Sequence, residues 1–162
     1  MRAISRWKRI FGIALAVGIL ASSTAVSVPV QASSILDKVT SLETTEDFAE
    51  DISYSRTKGN NLNYGTVKVQ RLSSNKIGIY GLTQCHHACD TVYLTLYLER
   101  KENGNYENYK HWDFTVNNAT SLSRGIEVIV PSGYYYRVHG YHAAKNGSKE
   151  STTTLTSGIL IK

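Results

Sequence analysis

Beyond about residue 62 the chain alternates apolar and polar positions with a period of two. The clearest run is Cys85 to Arg100, where Val92, Leu94, Leu96 and Leu98 alternate with Thr91, Tyr93, Thr95, Tyr97 and Glu99. Alternation of this length marks a half-buried strand, because successive side chains leave opposite faces. It is the natural centre of a sheet. Upstream, Tyr64 to Arg71 places Val67 and Val69 on one face, and Lys76 to Gln84 turns Ile77 and Ile79 inward. Gly78 and Gly81 weaken that second strand and mark a bulge or a close crossing. Downstream, Tyr106 to Val116 carries Trp112, Phe114 and Val116 on one face. Leu122 to Val130 carries Ile126, Val128 and Val130, and Gly133 to Lys145 and Glu150 to Ile161 complete the set.

Turn chemistry separates these runs. Ser73-Ser74-Asn75, Asn117 to Thr120 and Pro131-Ser132-Gly133 are turns, and Asn103-Gly104 and Asn146-Gly147 are hairpin signals, since both residue types accept positive φ. Seven short strands with no helical pattern between them predict an all-β domain. The expected form is a seven-stranded antiparallel β-sandwich of immunoglobulin or fibronectin type III kind, with a small β-barrel as the alternative.

The N-terminal residues follow another pattern. Arg2, Arg6, Lys8 and Arg9 precede an apolar run from Ile10 to Ala21, and Val30-Gln31-Ala32 offers small residues for a signal peptidase. The apolar run is short for a membrane span, which needs about 20 residues. Residues 1–32 are therefore expected to be a removed signal peptide, giving a secreted, extracellular protein without a stable membrane anchor. Removal changes the charge picture. The whole chain holds 18 Lys and Arg against 13 Asp and Glu, and four of the bases lie in this segment. What remains is nearly neutral, so the basic character is no argument for nucleic acid as a partner.

Between Ser33 and Ser53 six acidic residues (Asp37, Glu43, Glu46, Asp47, Glu50 and Asp51) face one base, Lys38. Ile35, Val39 and Leu42 sit at helical spacing, but one isolated turn is marginal in water. Residues 33–61 are expected to be an acidic, flexible arm with the β domain occupying 62–162.

The segment GYYYRVHGYHAAKNGSKESTTTLTSGILI, from Gly133 to Ile161, is the most distinctive. Together with CD-x-V-x-L-T-L-Y-L-E-R and the NG-x-Y turn, it resembles a family of small secreted proteins from Gram-positive, Clostridia-like bacteria, a domain of unknown function. The resemblance spans roughly Ser53 to Ile161. It implies a compact β domain, export and extracellular residence, and it implies no activity, cofactor or catalytic residue.

Cys85 and Cys89, with His86 and His87 between them, admit three states: a disulfide, free thiols or a metal site. As facing residues of a tight hairpin they would lie within disulfide range, and an exported setting favours oxidation. A disulfide is expected, with no metal, because a second ligand pair of matching spacing is missing. His139 and His142 have opposite parity and leave opposite faces, which makes them surface imidazoles rather than joint ligands. No Gly-x-Ser-x-Gly elbow or His-Glu-x-x-His motif occurs, so no catalytic residue, cofactor or enzymatic role is assigned. Tyr135, Arg137, His139 and Tyr141 share one strand face, and Tyr93 and Tyr97 share another. If those strands are neighbours, they form a tyrosine-rich binding surface with a basic residue in it. The expected function is a non-enzymatic module binding an extracellular glycan or protein. The alternative is a small secreted toxin- or bacteriocin-like polypeptide whose acidic arm shields a basic domain.

Overall fold

The computed structural model describes residues 43–55 and 59–162. The expected signal peptide, the start of the acidic segment and its helical spacing lie outside these residues. Eight strands form one sheet: β1 (Glu43–Thr44), β2 (Phe48–Tyr54), β3 (Leu62–Ser73), β4 (Lys76–Glu102), β5 (Asn105–Ile129), β6 (Tyr134–Asn146), β7 (Ser148–Leu155) and β8 (Gly158–Ile161). The order is β1-β8-β6-β4-β3-β2, with β5 on β4 and β7 on β6. Every pairing is antiparallel except β1 with β8.

The all-β expectation holds, and the strand boundaries change. The two expected strands 76–84 and 85–100 are one strand, β4, and 106–116 and 122–130 are one strand, β5. The ribbon they form starts at the Asn103-Gly104 turn, whose φ values of 51° and 88° are those the hairpin signal demands. Residues Lys76 to Gln84 of β4 pair with β3, and Thr91 to Arg100 pair with β6, on the edge opposite β5. The change of neighbour occurs at the register shift between Gln84 and Cys89. There the ribbon bends and the sheet curls toward closure. The result is one connected, nearly closed, barrel-like sheet.

The acidic segment is not a free arm within its described part. β2 pairs β3 from Phe48↔Gln70 to Tyr54↔Tyr64, and β1 lies beside β8. Its charge is accommodated because partners meet the carboxylates. Asp47 forms an ion pair with Arg71, which holds its carboxyl below the usual range, and Glu43 pairs with Lys101. Asp51 Oδ2 accepts the Leu155 N–H at 2.8 Å. Composition signalled an exposed arm; the interstrand register supplied the missing bases and donors.

The seam between β7 and the β2–β3 pair is closed by side chains rather than a ladder. Ser53 and Thr152 hydroxyls meet at 2.8 Å. Glu150 accepts backbone N–H groups of Asn60, Asn61 and Leu62 at 3.1, 3.1 and 2.9 Å. The Asn61 amide donates to the Ser148 carbonyl at 3.0 Å. These bonds satisfy backbone groups that a strand edge would leave unpaired.

Val67, Val69, Ile77, Val92, Leu94, Leu96, Leu98, Val138, Ile159 and Ile161 are fully buried, as the alternation requires. One polar chain crosses this core. His142 is fully buried, its Nδ1 lies 3.0 Å from Thr83 Oγ1 and its Nε2 lies 2.8 Å from Thr154 Oγ1. The expected surface imidazole is therefore an interior one, although the opposite parity of His139 holds. Room for the ring comes from two glycines. A Cβ at Gly140 would lie 2.6 Å from His142 Nε2 and 2.5 Å from Val67 Cγ1, and one at Gly65 would collide with the imidazole carbons.

Among the described residues β5 pairs β4 alone, which leaves a long edge. Lys110 and Arg124 sit opposite the buried Leu98 and Gly81 and lay their cations 5.4 Å over the Tyr109 and Phe114 rings. Exposed charge of this kind along an edge strand blunts it against pairing with another chain.

Candidate functional site

The register unites most of the expected aromatic residues. Tyr97 pairs with His111 of β5 on one side and His139 of β6 on the other. The ring centroids are 5.9 and 5.5 Å apart and both interplanar angles are 27°, so an imidazole covers each face of the phenol. Rings that stack between neighbouring strands stand on the sheet and turn their rims outward. Two positions along β4, Thr95 faces Asp113 and Tyr141, and its hydroxyl donates to Asp113 Oδ1 at 2.6 Å. Two positions further, Tyr93 carries the Lys149 ammonium 4.4 Å from its ring centroid, and the same ammonium lies 5.5 Å from Tyr141. Tyr93, Tyr97, His139 and Tyr141 are thus one half-exposed surface on the outer side of β4 and β6.

Two expected members behave differently. Tyr135 lies farther along β6, with Lys101 Nζ 5.9 Å from its ring. Arg137 is buried: its Nε donates to Glu99 Oε2 at 2.5 Å and its guanidinium packs 4.0 Å from the Tyr106 ring. It is a structural ion pair beneath the surface rather than an exposed base. Burial first, with the Glu43 carboxylate second, pushes the Tyr106 hydroxyl up. His139 is held below its usual value, chiefly by burial, with Glu99 opposing and Arg137 adding to the shift.

Sequence reasoning missed His111 and Lys149. For Lys149 the signal was present, since counting out from Gly147 sets it opposite Lys145 of β6; for His111 it was not, since counting back from Asn103-Gly104 sets Lys110 opposite Tyr97 and only the register shift between Leu98 and Glu99 moves His111 there. It also missed a second outer face. Phe48, Ile52, Tyr54, Leu72, Tyr80 and Ile129 are exposed, and Leu72 and Tyr80 line a groove of about 360 Å³ together with Lys68, Gly78, Gly125 and Glu127.

The expected disulfide is not present: Cys85 and Cys89 are free, buried thiols. They do not face each other across a hairpin. Both lie on β4 and point inward, and the intervening His86, His87 and Ala88 bulge outward. Cys89 Sγ donates weakly to the Asn61 and His87 carbonyls at 3.9 and 3.6 Å. Burial pushes the Cys85 thiol up to about 12, and the adjoining Cys89 thiol and Glu150 carboxylate add to it. A thiol so shifted is protonated at neutral pH and a poor nucleophile. Both cysteines are buried and should resist iodoacetamide in the native protein and react fully in denaturant. A mass two protons below the reduced value, with no alkylation in denaturant, would contradict this. Among the described residues no group of three or more His, Cys, Asp or Glu is arranged to hold a metal ion.

A profile described as Family of unknown function (DUF6147) matches residues 36–158. The chain belongs to this family. The expected membership in a domain family of unknown function is met, and the match extends through both faces and the cysteine bulge. No curated protein matches. Among solved structures, Spo0M, a sporulation control protein from Bacillus subtilis, aligns with 8% identity and a TM-score of 0.36, covering 70% of this chain and 50% of that one. The chain spans about half the length of Spo0M, and a likeness this slight carries no argument.

Proposed function

We propose that the protein is exported from a Gram-positive bacterium and acts outside the cell as a non-enzymatic binding module for a glycan or protein. The observation that carries this reading is the surface of Tyr93, Tyr97, His139 and Tyr141, held half-exposed by antiparallel ladders on neighbouring strands. Aromatic side chains with polar tips, fixed on a rigid sheet, lose little entropy on binding. The bent β4–β5 ribbon also supports a two-layer description of the sheet, of the sandwich kind found in immunoglobulin and fibronectin type III domains. The toxin-like alternative draws nothing from the acidic segment, because β1 and β2 belong to the sheet and are no detachable shield.

The test is binding of the purified full-length protein to a glycan array and to cell-wall and surface-protein preparations. Retention that falls at least about tenfold in Tyr93→Ala and Tyr97→Ala, a loss of about 1.4 kcal/mol, supports the reading. Retention indifferent to both substitutions, or none on any surface, refutes it.

A further inference from the structure

Resting on that reading, we infer that the outer face of β5, β4, β6 and β7 binds an extended polyanion, a polymer carrying carboxylate or phosphate groups, and takes up protons at His111 and His139 as it does so.

The first observation is that the ring faces are occupied. Both faces of Tyr97 carry imidazoles, and one ammonium serves Tyr93 and Tyr141. Stacking of a neutral sugar needs a bare ring face, and this surface offers hydroxyl and N–H rims beside cations instead. The second observation is Lys145 directly opposite Lys149 on β6 and β7. Like charges at facing positions disfavour a sheet, and a bound anion relieves them. This lysine pair lies in the row of Thr91, six residues from the row of Tyr97. That is about 20 Å along the strand, too far for one small anion to bridge.

The histidines add charge on demand. Around His139 stand Tyr97 and Glu99 of β4, Arg137 and Tyr141 of β6 and Leu155 of β7, with buried His142 behind the sheet. Glu99 Oε1 is 4.0 Å away but already serves Arg137. Around His111 stand Tyr97 of β4 and, on its own strand, Asp113 at 4.0 Å, whose other oxygen is engaged by Thr95. Protonating both imidazoles places a cation on each face of the Tyr97 ring, a favourable arrangement. It raises the outward charge beside the lysines by two. A polyanion laid across the row favours the charged imidazoles, and by reciprocity protonation strengthens the polyanion's binding.

The experiment titrates the full-length protein with polygalacturonate, long-chain inorganic polyphosphate and neutral dextran at low ionic strength, from about pH 7.5 to about pH 5.0. Binding of at least one polyanion is expected, its affinity rising about tenfold over this range, with proton uptake seen by calorimetry in two buffers. Comparing the two polyanions separates carboxylate from phosphate as the recognised group. Lys149→Gln should weaken binding at every pH. His111→Gln with His139→Gln should flatten the rise, with folding verified by circular dichroism. A rise that persists in the double variant, or pH-independent binding, overturns the inference. Dextran binding as tight as the polyanions' and sensitive to Tyr97→Ala also overturns it, while leaving the surface a binding site. Binding of none of the three overturns it too, and the surface-protein arm above then decides the broader reading.

Discussion

Arg137→Met should destabilise the protein by about 3–5 kcal/mol, the cost of removing one partner from a buried ion pair. The side chains of Arg137 and Glu99 are 10% and 16% exposed, and the guanidinium is held between the carboxylate and the Tyr106 ring. Losing the cation strands Glu99 in a poorly solvated place. Methionine matches the length of the stem, so little of the loss comes from packing. Glu99→Gln should cost less, since the amide oxygen still accepts from Arg137. The double change, Arg137→Met with Glu99→Leu, should cost less than the sum of its parts, because no charge is left buried. Urea denaturation of the native protein, Arg137→Met, Glu99→Gln, Glu99→Leu and the double variant measures this. Additive losses would show that the two groups act separately and that the pair is not the source of the stability.

The second large effect is on acid stability. Burial pulls His142 from 6.5 down to about 4, with neighbouring His139 a smaller cause in the same direction. Both its ring nitrogens are engaged by threonine hydroxyls, and no carboxylate faces it in the core. The folded protein therefore disfavours the protonated ring. Above the unfolded value of 6.5 neither state holds the proton and there is no contribution. As pH falls from there to about 4 the unfolded chain binds a proton that the folded chain refuses, and stability drops. A gap of this size amounts to about 3 kcal/mol once pH is below 4. Denaturation midpoints measured at several values across this window should show the loss in the native protein and a shallower one in His142→Gln. Carboxylates such as Asp47 lose stability in acid in both proteins, so the difference between the curves is the readout. Parallel curves would remove His142 as the cause.

The inward faces of β3, β4 and β6 were legible because burial on one face imposes strict alternation. Val67, Val69, Ile77, Ile79, Leu94 and Leu96 are where the pattern puts them. The Asn103-Gly104 turn was legible because its positive φ values are a local property. The aromatic surface was half legible: parity told which residues share a strand face, and the β4–β6 ladder then joined Tyr93 and Tyr97 to His139 and Tyr141. Arg137 shares that parity and still ended buried, because Glu99 stands opposite it and Tyr106 closes over it. Parity names the side of a sheet; it does not say what covers that side.

The amino-acid sequence by itself determined the all-β class, the core-facing residues and the hairpin turn, since each depends on neighbours within a few positions. Only the tertiary structure decided the rest. The breaks expected at Cys85 and at Asn117 became a bend within continuous strands, because a bulge absorbs extra residues without ending a ladder. The acidic segment became strands because Arg71, Lys101 and the β7 backbone, remote in sequence, meet its carboxylates. The cysteines remained thiols and His142 went inside for the same reason. What a side chain becomes depends on which distant strand arrives beside it, and loop closure over tens of residues leaves no local mark on composition or period.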